Sequence, residues 1–315
     1  MKPPQNVRKS LKLFQRAEEL IPGGVQLLSR RPQSFAHGAC PIYAARAKGS
    51  HFWDVDGNEF IDTIAGIGAV QIGYCYEPVD RAAQQQIARG ALYSINHENE
   101  ILMAELLCEA VPCCEMARYA KGGGDANAVA VRIARGYTGR DVVLFCGYHG
   151  WHDWYIAANL AEGSLDSHLL PGVPAGGVPR ALRDTIFPFE YNNLDSLRAA
   201  LRAHRGQVAC IIMEACRFKQ PEAGFLAGVR ELATRHKAVL IFDEVVTGFR
   251  MALGGAQEFF GVTPDLATFA KGIGNGYPLA AVCGRRPIME AARDMFISNP
   301  LVTRGRKFRG FSLIH

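Results

Sequence analysis

Four short runs along the chain are almost entirely apolar: VVLFCG (142–147), VACIIME (208–214), VLIFDEV (239–245) and LAAVCG (279–284). Their length and their Val and Ile content read as strands. Helix-like stretches lie between them, as over 125–137 and 223–236. This alternation predicts an α/β domain around a mostly parallel sheet. In such sheets ligands gather at the carboxyl ends of the strands. Polar residues stand where these strands stop: Tyr148 and His149, Glu214, and Asp243 with Glu244. The first sixty residues read differently. An amphipathic helix is expected near the N-terminus, and WDVDGNEFID (53–62) reads as a hairpin turning at its DG pair in a smaller unit. The Gly- and Pro-rich stretch 161–179 is expected to be a surface loop near the site.

Composition narrows the class. The chain has 315 residues, 49% of them apolar and 21% charged, as expected of a globular protein with a sizeable core. No apolar run is long enough to span a bilayer. The N-terminus has basic residues but no apolar stretch of signal-peptide type, which points to the cytoplasm. Net charge is +5, but Arg304, Arg306, Lys307 and Arg309 account for all but one of those charges. Nucleic-acid binding by the fold is therefore not expected. The nine cysteines form no CxxC pair, so reduced and mostly buried thiols are expected.

Candidate chemistry begins at KGGGDAN (121–127). A Gly-rich turn feeding a helix presents backbone N–H groups to a phosphate. A turn capped by Asp125 explains the same residues without a ligand. At VLIFDEVVTGFR (239–250) a buried strand ends in two acids. Asp243 could be satisfied by a cap or an arginine, or it could face a protonated pyridine nitrogen. Lys271, 28 positions later in FAKGIGNGYP, could be a surface charge or could form a Schiff base with a cofactor aldehyde. HGWH (149–152) lacks a third ligand nearby, so no metal is expected. Together, a phosphate turn, a buried Asp and a Gly-flanked Lys are the three handles of pyridoxal phosphate.

IPGG (21–24), WDVDGNEFID (53–62), GYHGWHDWY (147–155), FDEVVTGFR (242–250), GVTPDLATFAKGIGNGYPLAAVCG (261–284) and MFIS (295–298) carry a family resemblance. On these motifs the chain resembles the class III pyridoxal-phosphate aminotransferases of fold type I, in particular the branch similar to glutamate-1-semialdehyde 2,1-aminomutase. The resemblance implies a large domain over 63–298, with a mostly parallel sheet and helices on both faces. Residues 1–62 would belong to a small domain whose C-terminal part is missing, with 299–315 as an atypical basic tail. It implies that Lys271 forms a Schiff base with pyridoxal 5′-phosphate and then moves the substrate proton. Asp243 would pair with the ring nitrogen, and Tyr148 and Val245 would lie against the ring. Gly122, Gly123 and Gly124 would hold the phosphate, with His149 and Glu214 also at the cofactor. Arg30, or Arg31 in competition with it, would take a substrate carboxylate. The implied activity is amino transfer, or aminomutation, between an amino donor and an oxo acceptor by a cytoplasmic homodimer. A truncated, catalytically impaired fragment is the alternative. The family turn carries Ser or Thr hydroxyls where this chain has three glycines, so a weaker phosphate contact is expected.

Overall fold

A computed structural model describes residues 6–294 except 162–163, 167, 169–171 and 217. The MFIS motif and the basic tail lie outside the described residues. The chain divides into two compact units, Met1–Leu92 and Tyr93–His315.

In the first unit a helix spans Arg8–Leu20 and buries Phe14 and Ala17 on one face. Strands β1 (Ala44–Lys48), β2 (His51–Asp54) and β3 (Glu59–Ile61) form an antiparallel sheet, β2 and β3 being the hairpin that the DG pair predicted. Phe52 stands opposite Phe60, with their rings stacked at 5.1 Å. Asp54 is buried and shapes the turn by accepting the Asp56 and Asn58 amides at 3.0 and 2.7 Å. Asp56 in turn accepts the Lys9 and Ser10 amides at 2.8 and 2.9 Å, supplying partners that a helix N-terminus lacks.

The second unit is built on seven strands: β4 (Met116–Ala120), β5 (Val142–Cys146), β6 (Ile186–Pro188), β7 (Val208–Met213), β8 (Val239–Asp243), β9 (Leu266–Phe269) and β10 (Ala280–Gly284). Their spatial order is β4-β10-β9-β8-β7-β5-β6. Only β10 runs antiparallel to its neighbours. The reason is the short link from β9 through Ala270–Leu279, which leaves no room for the crossover a parallel strand requires. Successive side chains of a strand point to opposite faces, and both faces are covered. Val143 and Phe145 pack with Ala126, Ala130 and Ile133 of the Gly123–Thr138 helix. Leu144 and Cys146 pack on the other side with Leu197, Leu201 and Val229, from the helices Leu194–Ala203 and Phe225–His236.

Most described residues of the loop over 161–179 are exposed or partly exposed, as expected of a surface loop. Leu165 and His168 are buried, because Leu165 joins the apolar cluster around Phe145 and His168 Nδ1 accepts the Gly147 amide at 3.2 Å.

Candidate active site

The parallel strands of the second unit end on one edge of their sheet, and five loops leave that edge: after Ala120, Cys146, Met213, Asp243 and Phe269. Asp243, the last residue of β8, is 4% exposed. Its Oδ2 accepts Asn127 Nδ2–H at 2.7 Å and meets His149 Nδ1 at 2.8 Å. Its Oδ1 accepts the Val245 amide at 3.0 Å. A carboxylate has about four acceptor positions, so one on Oδ1 remains for a further donor. Among the described residues, no arginine hydrogen-bonds this carboxylate. The sheet edge instead supplies an amide and an imidazole.

Asn127 was not singled out by the sequence, yet it organises the site. It is buried in the Gly123–Thr138 helix, and its Nδ2 also donates to the His149 carbonyl at 3.2 Å. Its Oδ1 accepts Thr268 Oγ1–H at 2.6 Å. This environment fixes the amide orientation, since the flipped form would set its oxygen against the Asp243 carboxylate. An ionised Asp243 likewise requires the His149 proton on Nδ1. His149 Nε2 is enclosed without a hydrogen-bond partner among the described residues, and the ring lies edge-on to Phe145 and Tyr155.

The glycine turn closes onto the same loops. A Cβ on Gly123 would stand 2.8 and 2.9 Å from the two Val245 methyls and 3.4 Å from Ala270 Cβ. A Cβ on Gly124 would stand 3.0 Å from the His152 ring, and one on Gly150 would stand 2.9 Å from Gly124 Cα. The glycines therefore let the helix start approach the loops after β5, β8 and β9. Gly122 N–H is taken by Asp125 Oδ2 at 3.0 Å, and Asp125 Oδ1 meets His152 Nε2 at 3.1 Å. The cap that the sequence offered as the bland explanation is thus present. The amides that follow belong to the first helical turn, whose N–H groups have no intrahelical acceptor and can receive an anion. His149 and His152 engage different carboxylates, and among the described residues no group of three or more His, Cys, Asp or Glu is arranged as metal ligands.

Lys271 follows β9 with φ +53°, a left-handed conformation disfavoured for a residue with a Cβ. Burial, above all, holds its ammonium below the usual lysine range, and Arg250 adds to this while Asp243 and Glu214 oppose it. A lysine shifted in this direction is closer to the neutral amine that attacks a carbonyl. Tyr148 donates its backbone N–H to Glu214 Oε2 at 3.1 Å. Burial, then the Asp243 charge, pushes the Tyr148 phenol up. Glu244 faces away from this cluster. Its carboxylate accepts Thr247 Oγ1–H at 2.6 Å and the Ala256 and Gln257 amides at 2.7 and 3.0 Å.

The second unit thus brings together Gly122, Gly123, Gly124, Tyr148, His149, Glu214, Asp243, Val245 and Lys271. Arg30 and Arg31 belong to the first unit, where both are exposed. A cavity of about 720 Å³ lies elsewhere, at the opposite edge of the sheet beside Arg230, Lys237 and Asp265. Among the described residues, this polar cluster joins an open carboxylate position, a half-buried lysine and helix-start amides without intrahelical acceptors. This donor set fits a group with an anion at one end, a cationic ring N–H at another and a carbonyl between them.

The family profile described as "Aminotransferase class-III" matches residues 34–303. The chain is 42% identical over 299 residues to the 3-aminobutyryl-CoA aminotransferase of Cloacimonas acidaminovorans, covering 92% of this chain and 68% of that protein. It is 42% identical over 292 residues to the glutamate-1-semialdehyde 2,1-aminomutase of Citrifermentans bemidjiense, covering 90% and 66%. Among solved structures it resembles the PLP internal aldimine form of the FumI protein of Sphingopyxis sp. MTA144, with TM-score 0.83 and 27% identity over 93% of this chain and 68% of that one. It therefore spans about two thirds of the length of these relatives. On the profile match and these identities, the chain belongs to the class III aminotransferases.

Proposed function

We propose that the chain acts with pyridoxal 5′-phosphate to move an amino group between an amino compound and an oxo compound, as an aminotransferase or aminomutase. The observation that carries this reading is the seating of Gly123 against Val245 and Ala270, which gathers the glycine turn, Asp243 and Lys271 at one place. The cofactor, when bound, supplies an aldehyde that exchanges amines and a ring that draws electrons from the substrate carbon.

Lys271 Nζ would hold that aldehyde, and as a free amine it would take the proton of the substrate carbon and return it. Asp243, clamped by Asn127 and His149, offers its remaining Oδ1 position to the ring N–H and keeps that nitrogen protonated. Tyr148 and Val245 flank the ring, and the helix-start amides at Gly123 and Gly124 receive the phosphate beside Gly122, whose own N–H Asp125 holds. Glu214 orients the Tyr148 backbone. Arg30 or Arg31 receives a substrate carboxylate. The division into a small-domain segment (1–62), a cofactor-binding domain (63–298) and a basic tail (299–315) belongs to the same reading, as does a cytoplasmic location. So does a homodimer.

The test is to add cofactor to the purified chain, reduce with borohydride and map the modified peptide. The cofactor is expected on Lys271, with loss of its visible absorbance in Lys271→Ala and amino exchange between an amino acid and an oxo acid in the parent. Attachment elsewhere, or none, overturns the assignment.

A further inference from the structure

Two thiols, one exposed and one buried, meet in the second unit, away from the cluster around Asp243. Cys108, in the last turn of the helix Glu98–Ala110, is exposed. Its Sγ lies 3.6 Å from Cys114 Sγ, which is buried in the loop leading into β4. Cys114 Sγ also donates to the Met116 carbonyl at 3.6 Å, and the buried thiol of Cys283 on β10 lies in the same apolar cluster. No disulfide joins any of the nine cysteines. Adjacent Cys113 is buried as well, and its backbone N–H is held by Gln257 Oε1 at 3.0 Å.

The contact geometry points to Cys108 and Cys114 as a thiol pair that low-molecular-weight disulfides oxidise, and we propose it as a covalent modification site of this protein. Cys108 is the sulfur such a reagent can reach. Its thiolate attacks one sulfur of the reagent, the reagent's S–S bond breaks, and one small thiol leaves with the proton that Cys108 lost. The Cys114 thiolate then attacks the Cys108 sulfur, and the second small thiol leaves with the Cys114 proton. Two protein thiols are thereby oxidised by two electrons, and one reagent disulfide is reduced to two thiols. Cys114 suits the second step, because thiol donors, Cys283 foremost, hold its pKa below the usual range. Cys108 itself is pushed up to about 11, by burial and then by Cys114, so the first step is the slow one and quickens with pH. The bond ties the end of the Glu98–Ala110 helix to the start of β4, which runs directly into the glycine turn.

The test incubates the folded 315-residue chain with oxidised glutathione, alkylates the remaining thiols and maps the peptides by mass spectrometry. The expected product is one internal bond, Cys108 to Cys114, reversed by dithiothreitol. In Cys114→Ser the second step is blocked, and glutathione is expected to persist on Cys108. Circular dichroism of the variant establishes that it is folded. Glutathione persisting on Cys108 in the parent chain, a bond that involves Cys283 or another cysteine, or alkylation of all nine thiols overturns the proposal.

Discussion

Asn127 gives the sharpest test of how the site is held. Its amide donates to Asp243 and to the His149 carbonyl, and it accepts from Thr268. Truncation in Asn127→Ala removes a hydrogen bond to a charged group, about 1.5–3 kcal/mol, and strands the buried Thr268 hydroxyl at about 1–3 kcal/mol more. A loss of about 3–5 kcal/mol is expected, against a domain stability of about 5–15 kcal/mol. Thr268→Val keeps the shape and removes only the hydroxyl, so about 1–3 kcal/mol is expected from the stranded Asn127 oxygen. Because both changes act through one bond, the double variant should cost less than the sum by about 1 kcal/mol. Urea unfolding of the four cofactor-free proteins, followed by circular dichroism, measures all three quantities. Additivity within about 0.5 kcal/mol would mean that Thr268 and Asn127 do not act as a unit. A loss in Asn127→Ala below about 1 kcal/mol would refute the clamp itself.

Lys271 is expected to cost stability in the cofactor-free protein. Its folded pKa lies below 10.5, so between the two values the unfolded chain holds a proton that the folded chain sheds, and stability rises with pH through that window. Lys271→Met should therefore be more stable than the parent below the window, with a difference that shrinks toward pH 10.5; equal urea midpoints at neutral pH would remove the argument. Gly123→Ala places a Cβ 2.8 Å from a Val245 methyl and should destabilise by about 1–3 kcal/mol. Val245→Ala should then recover part of that loss, and absence of any rescue in thermal melts would show that the contact does not decide the effect. Glu244→Gln turns one acceptor into a donor facing donors and should cost about 1–3 kcal/mol with no change in cofactor affinity; a weakened affinity would place Glu244 in the site.

The sheet and its active edge were legible because continuous apolar runs and the polar residues after them are local signals. The hairpin at 53–62 was legible for the same reason. Asn127 was not, because its partners Asp243 and Thr268 lie 116 and 141 positions away and nothing near it in sequence marks it. The triple glycine was legible as a turn that approaches something. What approaches at Gly123 is also protein, the Val245 methyls and Ala270, and only the fold brings those together. The inward turn of Leu165 and His168 was hidden by the Gly and Pro around them, since composition reports that a segment is a loop without reporting which of its side chains the core recruits.

Asp243 and Glu244 are adjacent and both are buried, and Asp243 is the one that the family resemblance sets against the ring nitrogen. Counting acceptor positions separates them. Glu244 Oε2 receives Thr247 and Ala256, and Oε1 receives the backbone and side chain of Gln257, so about four positions are all taken. Every one of those donors lies within thirteen residues of Glu244, so this acid organises its own loop. Asp243 receives three donors, two of them on side chains from distant elements, and retains a fourth position. A buried carboxylate left one donor short is unfavourable in the empty fold and becomes favourable when a ligand supplies that donor. The same physics that makes Glu244 a local brace suits Asp243 to the receptor role proposed for it, and the difference follows from how many N–H and O–H groups each acid already holds.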